Sequence, residues 1–284
     1  MKNKPLIGAH LSISGGLATV FDRAKCVGAT VVQIFTKSNK SYFAPALQQS
    51  DITAFAVAWQ ASEVEVVVTH AAYLINLAAS DAAVEKKSIA SLRAEVERCQ
   101  QLAIPYLVLH PGAHTGSGSA VGIQKIAENL SAILHEVPGN TMVLLETAAG
   151  QGTCVGSTFE ELRAIYDACD DAVKKRIGVC LDTCHVFAAG YDLRSVAAYQ
   201  EMMQKFDAVV GRHLLKVIHL NDSLTEKGSR KDRHANLSLG CIPASVLKYC
   251  AREMSAAGVA VILETPSEDG ITEYAQEIAF LCRE

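Results

Sequence analysis

Ile177-Gly-Val-Cys-Leu-Asp182-Thr-Cys-His185 is a short apolar run that ends on a carboxylate and reaches an imidazole three residues later. Five aliphatic or small residues in a row, with no polar alternation, describe a strand buried on both faces, as in a parallel sheet. Seven more runs of the same kind lie outward from it, at 6–9, 31–35, 64–69, 106–109, 142–145, 216–220 and 259–263. Successive runs begin 25 to 43 residues apart, and the segments between them have helical periodicity. The clearest helix is 82–102, where Ile89, Leu92, Val96 and Cys99 share one face. Lys86, Lys87, Arg93, Glu97 and Arg98 fall off that face and are expected in solvent. Eight strands alternating with helices over about 250 residues predict a (β/α)8 TIM barrel. No low-complexity linker or break in composition divides the chain, so residues 1–284 read as one domain.

The ends of the runs carry the chemistry. The residues that follow them are His10, Thr36, His70, His110, Glu146, Asp182, Asn221 and Glu264, and His219 lies near the end of the seventh. In a barrel all these ends open on one mouth, where active sites are built. A single His at a strand end is ordinarily a satisfied hydrogen-bonder, and a single buried Glu is ordinarily half of an ion pair. Here that explanation has to hold for seven residues at once: His70, His110, Glu146, Asp182, His185, His219 and Glu264. Too few Lys or Arg side chains lie at these ends to neutralise three carboxylates, and buried unpaired carboxylates are costly. A divalent metal supplies the missing charge. His and carboxylate ligands without thiolate suit zinc, manganese or iron. Asp232-Arg-His234 adds two ligand types on one side of an extended segment. Nine groups exceed the needs of one ion and point to two or three. Clusters of that kind cleave phosphoesters or peptides.

Other features are weaker alone. Lys227, Arg230, Lys231 and Arg233 make a basic loop beside Asp232, which is either a solvated surface or a site for an anionic polymer. Lys37, Lys40 and Tyr42 form a smaller basic-aromatic patch. Tyr73-Leu74 after His70 is either loop packing or a wedge for a base stack. His10 and His114 fit structural or supporting roles near the mouth, His135 and His213 structural ones, and Cys180 and Cys184 packing.

Composition bounds the partners. Half of the 284 residues are hydrophobic and 20% are charged, which excludes a disordered tail or a disulfide-stapled mini-protein. The formal charge of −4 argues against a protein that binds nucleic acid through a basic face alone, unless bound metal adds charge. The nine cysteines are odd in number and contain no C-x-x-C pair. No signal-peptide core or uninterrupted apolar stretch of about 18 residues occurs. The expectation is a soluble protein of a reducing cytoplasm, with no membrane association.

Three motifs give the chain a family resemblance. They are His70-Ala-Ala-Tyr73-Leu-Ile-Asn76-Leu-Ala78, then Gly178-Val-Cys-Leu-Asp182-Thr-Cys-His185, then His219-Leu-Asn221-Asp222-Ser223 with Gly228-Ser229 and Asp232-Arg-His234. His110-Pro-Gly112 and Glu146-Thr-Ala-Ala-Gly-Gln-Gly152 add two blocks. Together they resemble endonuclease IV, the zinc-dependent apurinic/apyrimidinic endonucleases of base excision repair. The resemblance implies a TIM barrel with three zinc ions, one of which manganese or iron could replace. It implies His70, His110 and Glu146 as ligands of the first ion. Glu146, Asp182, His219 and Glu264 would bind the second, with Glu146 bridging, and His185, Asp232 and His234 the third. Three Zn2+ add six charges to the formal −4 and leave +2.

The implied reaction is hydrolysis 5′ to an abasic site in duplex DNA, leaving a 3′-hydroxyl, and removal of 3′-blocking groups. Glu264 and Glu146 would be catalytic. Lys40, Tyr73, Leu74, Arg230 and Arg233 would contact DNA, with Tyr73 and Leu74 inserted into the stack. A bacterial, monomeric enzyme is implied. Leu224 stands where the family usually has Lys, Ser238-Leu-Gly240 where it shows Gly-x-Gly, and Lys40 where it often has Arg; none is a ligand. Two rival readings are a metal-dependent sugar isomerase or epimerase on a related barrel, and a non-catalytic damage-binding protein.

Overall fold

In a computed structural model, which describes residues 4–283, eight of the strands are parallel and close on one another. They are β1 (Ile7–His10), β2 (Val31–Ile34), β3 (Val66–His70), β4 (Tyr106–Leu109), β5 (Met142–Glu146), β6 (Ile177–Asp182), β7 (Leu215–His219) and β10 (Ala260–Leu263). The order around the barrel follows the sequence, and β1 pairs with both β2 and β10 to close it. Each lies within two residues of the run read from the sequence. His10, His70, Glu146 and Asp182 are the last residues of their strands rather than the first beyond them.

Between the strands run α1 (Val20–Val27), α2 (Gln49–Gln60), α3 (Ala82–Gln101), α4 (Ser119–Glu136), α5 (Phe159–Ala168), α6 (Thr183–Ala189), α7 (Val196–Val209), α8 (Ala244–Ala256) and α9 (Thr272–Cys282). Helix α3 has nearly the bounds that its periodicity predicts. The Asp81 carboxylate starts it by accepting from the Ala83 and Val84 amides at 2.8 and 3.0 Å, the usual service of an N-cap. Arg93 and Arg98 depart from expectation, because both are only partly exposed. Arg98 turns back to donate to Thr36 and Pro45 carbonyls. A two-residue ribbon, β8 (Asp222–Ser223) with β9 (His234–Ala235), was not expected from the sequence. It pins the two ends of the basic loop.

Strand side chains alternate faces, and this alternation decides what fills the barrel. Ile7 and Ala9 face the helices, and Gly8 between them faces inward. Val31, Val68, Val108, Leu144, Cys180, Val217, Ala260 and Ile262 pack together as an interior plug, separate from the larger core under the helices. Two residues further along each strand the inward column turns polar: His10, Gln33, His70, His110, Glu146, Asp182, His219 and Glu264. The barrel is thus an apolar plug with a polar ceiling at its C-terminal mouth.

Gly8 is where the sheet can spare no atom. A Cβ there would stand 1.6 Å from the Val31 carbonyl oxygen. Gly8→Ala is therefore expected to destabilise the fold by about 3 kcal/mol, the upper range for overpacking, as read from urea unfolding. A wild-type midpoint would contradict the packing described.

Candidate metal centre

Eight of the eleven polar groups at the mouth come from the barrel ceiling, and local structure adds the rest. Asp182 ends β6 and also caps α6: its Oδ1 accepts from the His185 amide at 2.9 Å. An N-cap bonds to the amide three residues on. The Asp182-x-x-His185 spacing is therefore a helix start that turns the imidazole back over the barrel. The β8–β9 ribbon brings Asp232 and His234 across from the other side. Asp222 holds the ribbon's surroundings by accepting from the amides of Gly240 and Ile242 at 2.9 and 2.8 Å.

Nine of these groups gather closely. The candidate ligand atoms of His70, His110 and Glu146 lie within 4.8 Å of one another, as do those of Glu146, Asp182, His219 and Glu264, and those of His185, Asp232 and His234. Glu146 belongs to two groups. Glu146 and Asp182 are fully buried, while Glu264 reaches the mouth with 13% of its side chain exposed. Among the described residues these three form ion pairs only with histidines. Removing a carboxylate from water costs several kcal/mol even after relaxation. Three in one pocket require positive charge between them.

The imidazoles are oriented to face that charge. His70 Nδ1 donates to the Ala71 carbonyl at 2.7 Å, His185 Nδ1 to Thr147 at 2.8 Å and His234 Nδ1 to Glu264 at 3.1 Å. His219 donates from Nε2 to Gln33 Oε1 at 2.8 Å. Each outward bond commits one nitrogen to a protein oxygen and turns the other inward, as in protein metal sites. Those inward atoms meet carboxylates: His70 Nε2 to Glu146 at 3.2 Å, and His219 Nδ1 to Glu146 at 2.8 Å and Glu264 at 3.3 Å. The inward nitrogens of His185 and His234 are buried without a hydrogen-bond partner, although Asp232 oxygens stand 3.2 Å from each. A donor set of imidazole and carboxylate, with two buried nitrogens left unbonded, fits divalent metal.

The pocket's carboxylates favour positive charge on imidazoles beside them. Burial alone depresses an imidazole, but Glu146 overrides this at His70 and pushes it up to about 9. Burial is likewise outweighed by Asp182 at His234, also raised to about 9. At Glu146 burial is overcome by His110 and His219, which hold its carboxyl well below the usual range. Burial wins at His10 and His110, which are lowered. It also pushes the Cys184 thiol up to about 12, and Cys180 lies in the plug. Both are neutral packing thiols.

Two residues have supporting roles that the sequence did not assign to them. Gln33 lies fully buried between His219 and Glu264 and donates to Glu264 Oε1 at 2.5 Å. As the one polar residue inside the second run, at an inward position, it had a signal in the period-two pattern. Asn221 ties Asp182 Oδ2, at 2.7 Å, to the Glu264 amide, at 2.8 Å.

The residues assigned to DNA lie on the rim rather than in the pocket. Lys40, Arg230 and Arg233 are exposed, and Tyr73 and Leu74 are 58% and 39% exposed. Tyr73 sits with its ring 5.4 Å from that of His70. Two basic residues are not free as expected: Lys37 is buried against Glu95, and Lys227 pairs with Asp192 at 3.3 Å. His114 serves its own loop by accepting from the Gly116 and Gly118 amides. Ser238 takes a left-handed φ of 77°, a conformation that favours Gly. Leu224 is exposed.

Residues 21–284 match the family model described as "Xylose isomerase-like TIM barrel". "Probable endonuclease 4" of Chloroflexus aurantiacus is 43% identical over 278 residues, 98% of this chain and 97% of that one. The chain belongs to the endonuclease IV family of DNA-repair nucleases. The crystal structure of endonuclease IV from Thermus thermophilus superposes with a TM-score of 0.86 at 34% identity, covering 98% of this chain and 97% of that one. A D-tagatose 3-epimerase-like protein has a TM-score of 0.72 at 19% identity over 97% of this chain and 95% of that one, a likeness of fold alone. Family members are metal-dependent, in keeping with the donor set above.

Gln33→Leu removes the acceptor that fixes the His219 tautomer. Loss of such a partner typically weakens metal binding 10- to 100-fold. That fall in Zn2+ affinity is expected in competition with a chromogenic chelator, and unchanged affinity would remove Gln33 from the site's support.

Proposed function

We propose that this chain hydrolyses the phosphodiester 5′ to an abasic site in duplex DNA, leaving a 3′-hydroxyl, and clears blocked 3′ ends. Three zinc ions would be held, one by His70, His110 and Glu146, one by Glu146, Asp182, His219 and Glu264, and one by His185, Asp232 and His234. Manganese or iron in place of one zinc is compatible with the same donors. The observation that carries the reading is the shared orientation of His70, His185, His219 and His234. Each hands one nitrogen to a protein oxygen and aims the other at a carboxylate of the pocket, Glu146 for His70 and His219 and Asp232 for His185 and His234. Bound there, divalent ions activate water and take up charge on the phosphate and leaving oxygen.

The chain's own groups then have distinct tasks. Glu264 stands at the opening of the pocket, where Gln33 fixes one of its oxygens. It holds the attacking water and takes its proton. Glu146 lies deeper and joins two ligand groups. Arg230 and Arg233 flank Asp232 on the rim and meet backbone phosphates, as does Lys40 on the opposite side. Tyr73 and Leu74 fill the gap in the stack beside the lesion, which offsets the few kcal/mol of unstacking. Residues 1–284 act as one domain and one monomer, in the cytoplasm of a bacterium. Among the described residues all nine cysteines are free, and no helix is long and apolar enough to cross a membrane.

The test is nicking of a duplex that carries one abasic site. Cleavage is expected to stop with chelator and return with Zn2+. Glu264→Gln keeps the shape but cannot take a proton, so turnover is expected to fall by about 10²- to 10⁴-fold, the usual contribution of a general base, while the variant still binds the duplex. Near-normal turnover would exclude Glu264 from proton transfer. Absence of nicking with turnover of a ketose would establish the epimerase reading instead.

A further inference from the structure

The two rim loops that carry Lys40 and Phe43, and Tyr73 and Leu74, rest on the same face of α3. That face is polar where a packing face would be apolar. Ser88, Ser91, Glu95 and Arg98 recur every three or four residues, and the first three are buried. Each of the four gives its polar group to a loop. Ser88 Oγ accepts from the Asn76 amide at 3.0 Å, and Ser91 Oγ donates to the Tyr42 carbonyl at 2.7 Å. Glu95 Oε1 accepts from the Ala72 amide at 3.2 Å and stands 2.9 Å from Lys37 Nζ. Lys37 Nζ also donates to the Ser41 carbonyl at 2.6 Å. Arg98 holds the Thr36 carbonyl and, at 2.9 Å, that of Pro45. Finally Tyr42 Oη donates to the Leu74 carbonyl at 3.0 Å and links one loop to the other.

The Lys37 and Glu95 side chains are 3% and 2% exposed. A buried ion pair of this kind is a poor source of stability, because desolvation offsets the attraction, but it specifies one arrangement of the groups it joins. Both partners also bond backbone of the rim loops, so the arrangement specified is that of the loops. Tyr73, Leu74 and Phe43 meanwhile stay exposed at the rim, so the network holds their backbones without covering their side chains.

We propose that the polar face of α3, with Lys37, is a cradle that presets both rim loops as one rigid wedge for the base stack of damaged duplex DNA. Lys37, Ser91 and Glu95 are positioning residues, acting through the loops and touching neither metal nor phosphate. The inference rests on the nuclease reading above. Presetting a loop in its bound form removes the cost of ordering it at the moment of binding. The benefit therefore appears in affinity for the lesion and not in the chemical step.

The test uses zinc-loaded enzyme and two duplexes of one sequence, abasic and intact. Lys37→Met/Glu95→Leu replaces the pair by apolar groups of similar volume. It is expected to raise KM for the abasic duplex roughly tenfold, the scale of one lost stacking contact. The abasic-to-intact binding ratio should fall by the same factor, with kcat and metal content close to wild type. Ser91→Ala, which removes one oxygen, keeps the test open if the double variant does not fold. It is expected to move KM the same way by a smaller factor, with Ser91→Thr restoring it. Folded variants that lower Tm but keep the wild-type KM and binding ratio would overturn the cradle. A wild-type protein that binds both duplexes equally and nicks neither would overturn the nuclease reading, and the cradle with it.

Discussion

Everything at the mouth of this barrel answers to one constraint: Glu146, Asp182 and Glu264 share a pocket from which water is almost excluded. No Lys or Arg pairs with them among the described residues. The alternation of strand side chains creates this situation, because the step that carries Val68, Leu144 and Ile262 into the plug carries His70, Glu146 and Glu264 into the ceiling. A fold built only for stability would continue the apolar plug to the top. This one keeps two fully buried carboxylates and a third at the opening, among imidazoles of which four have one nitrogen committed outward. The pocket is organised to hold cations.

The supports are arranged in shells around that need. Gln33 reaches both His219 and Glu264, and Asn221 spans Asp182 and the Glu264 backbone. Backbone carbonyls at positions 71, 147 and 264 orient three more imidazoles. Further out, α3 and Lys37 brace the loops at the rim. Position in the barrel thus sorts the polar residues, from the clustered imidazoles and carboxylates inside, through the groups that orient them, to exposed side chains at the rim.

Much of this could be read from the chain, because both signals are local. Short unbroken apolar runs at regular spacing give the barrel, and polar residues at their ends give the ceiling. The Asp182-x-x-His185 spacing carries its own helix start. What escaped depends on tertiary context. Gln33 lies inside a run rather than after it. The ribbon of Asp222–Ser223 and His234–Ala235 is too short to leave a periodic trace. The polar stripe on α3 lies beside the apolar one, and a search for apolar periodicity passes over it. Lys37 reads as a surface cation, since a charge in a loop usually is one, until its partner Glu95 is seen beneath it. In each case the missing information was which residue from elsewhere in the chain satisfies the polar group.

The central claim is that the nine side chains exist to bind several metal ions at once. Elemental analysis of protein purified without chelator measures this directly. Because Glu146 joins two of the three groups, close to three equivalents per chain are expected, mostly zinc. A reproducible value near one would contradict the account, since a single ion cannot neutralise a pocket built on this many ligands.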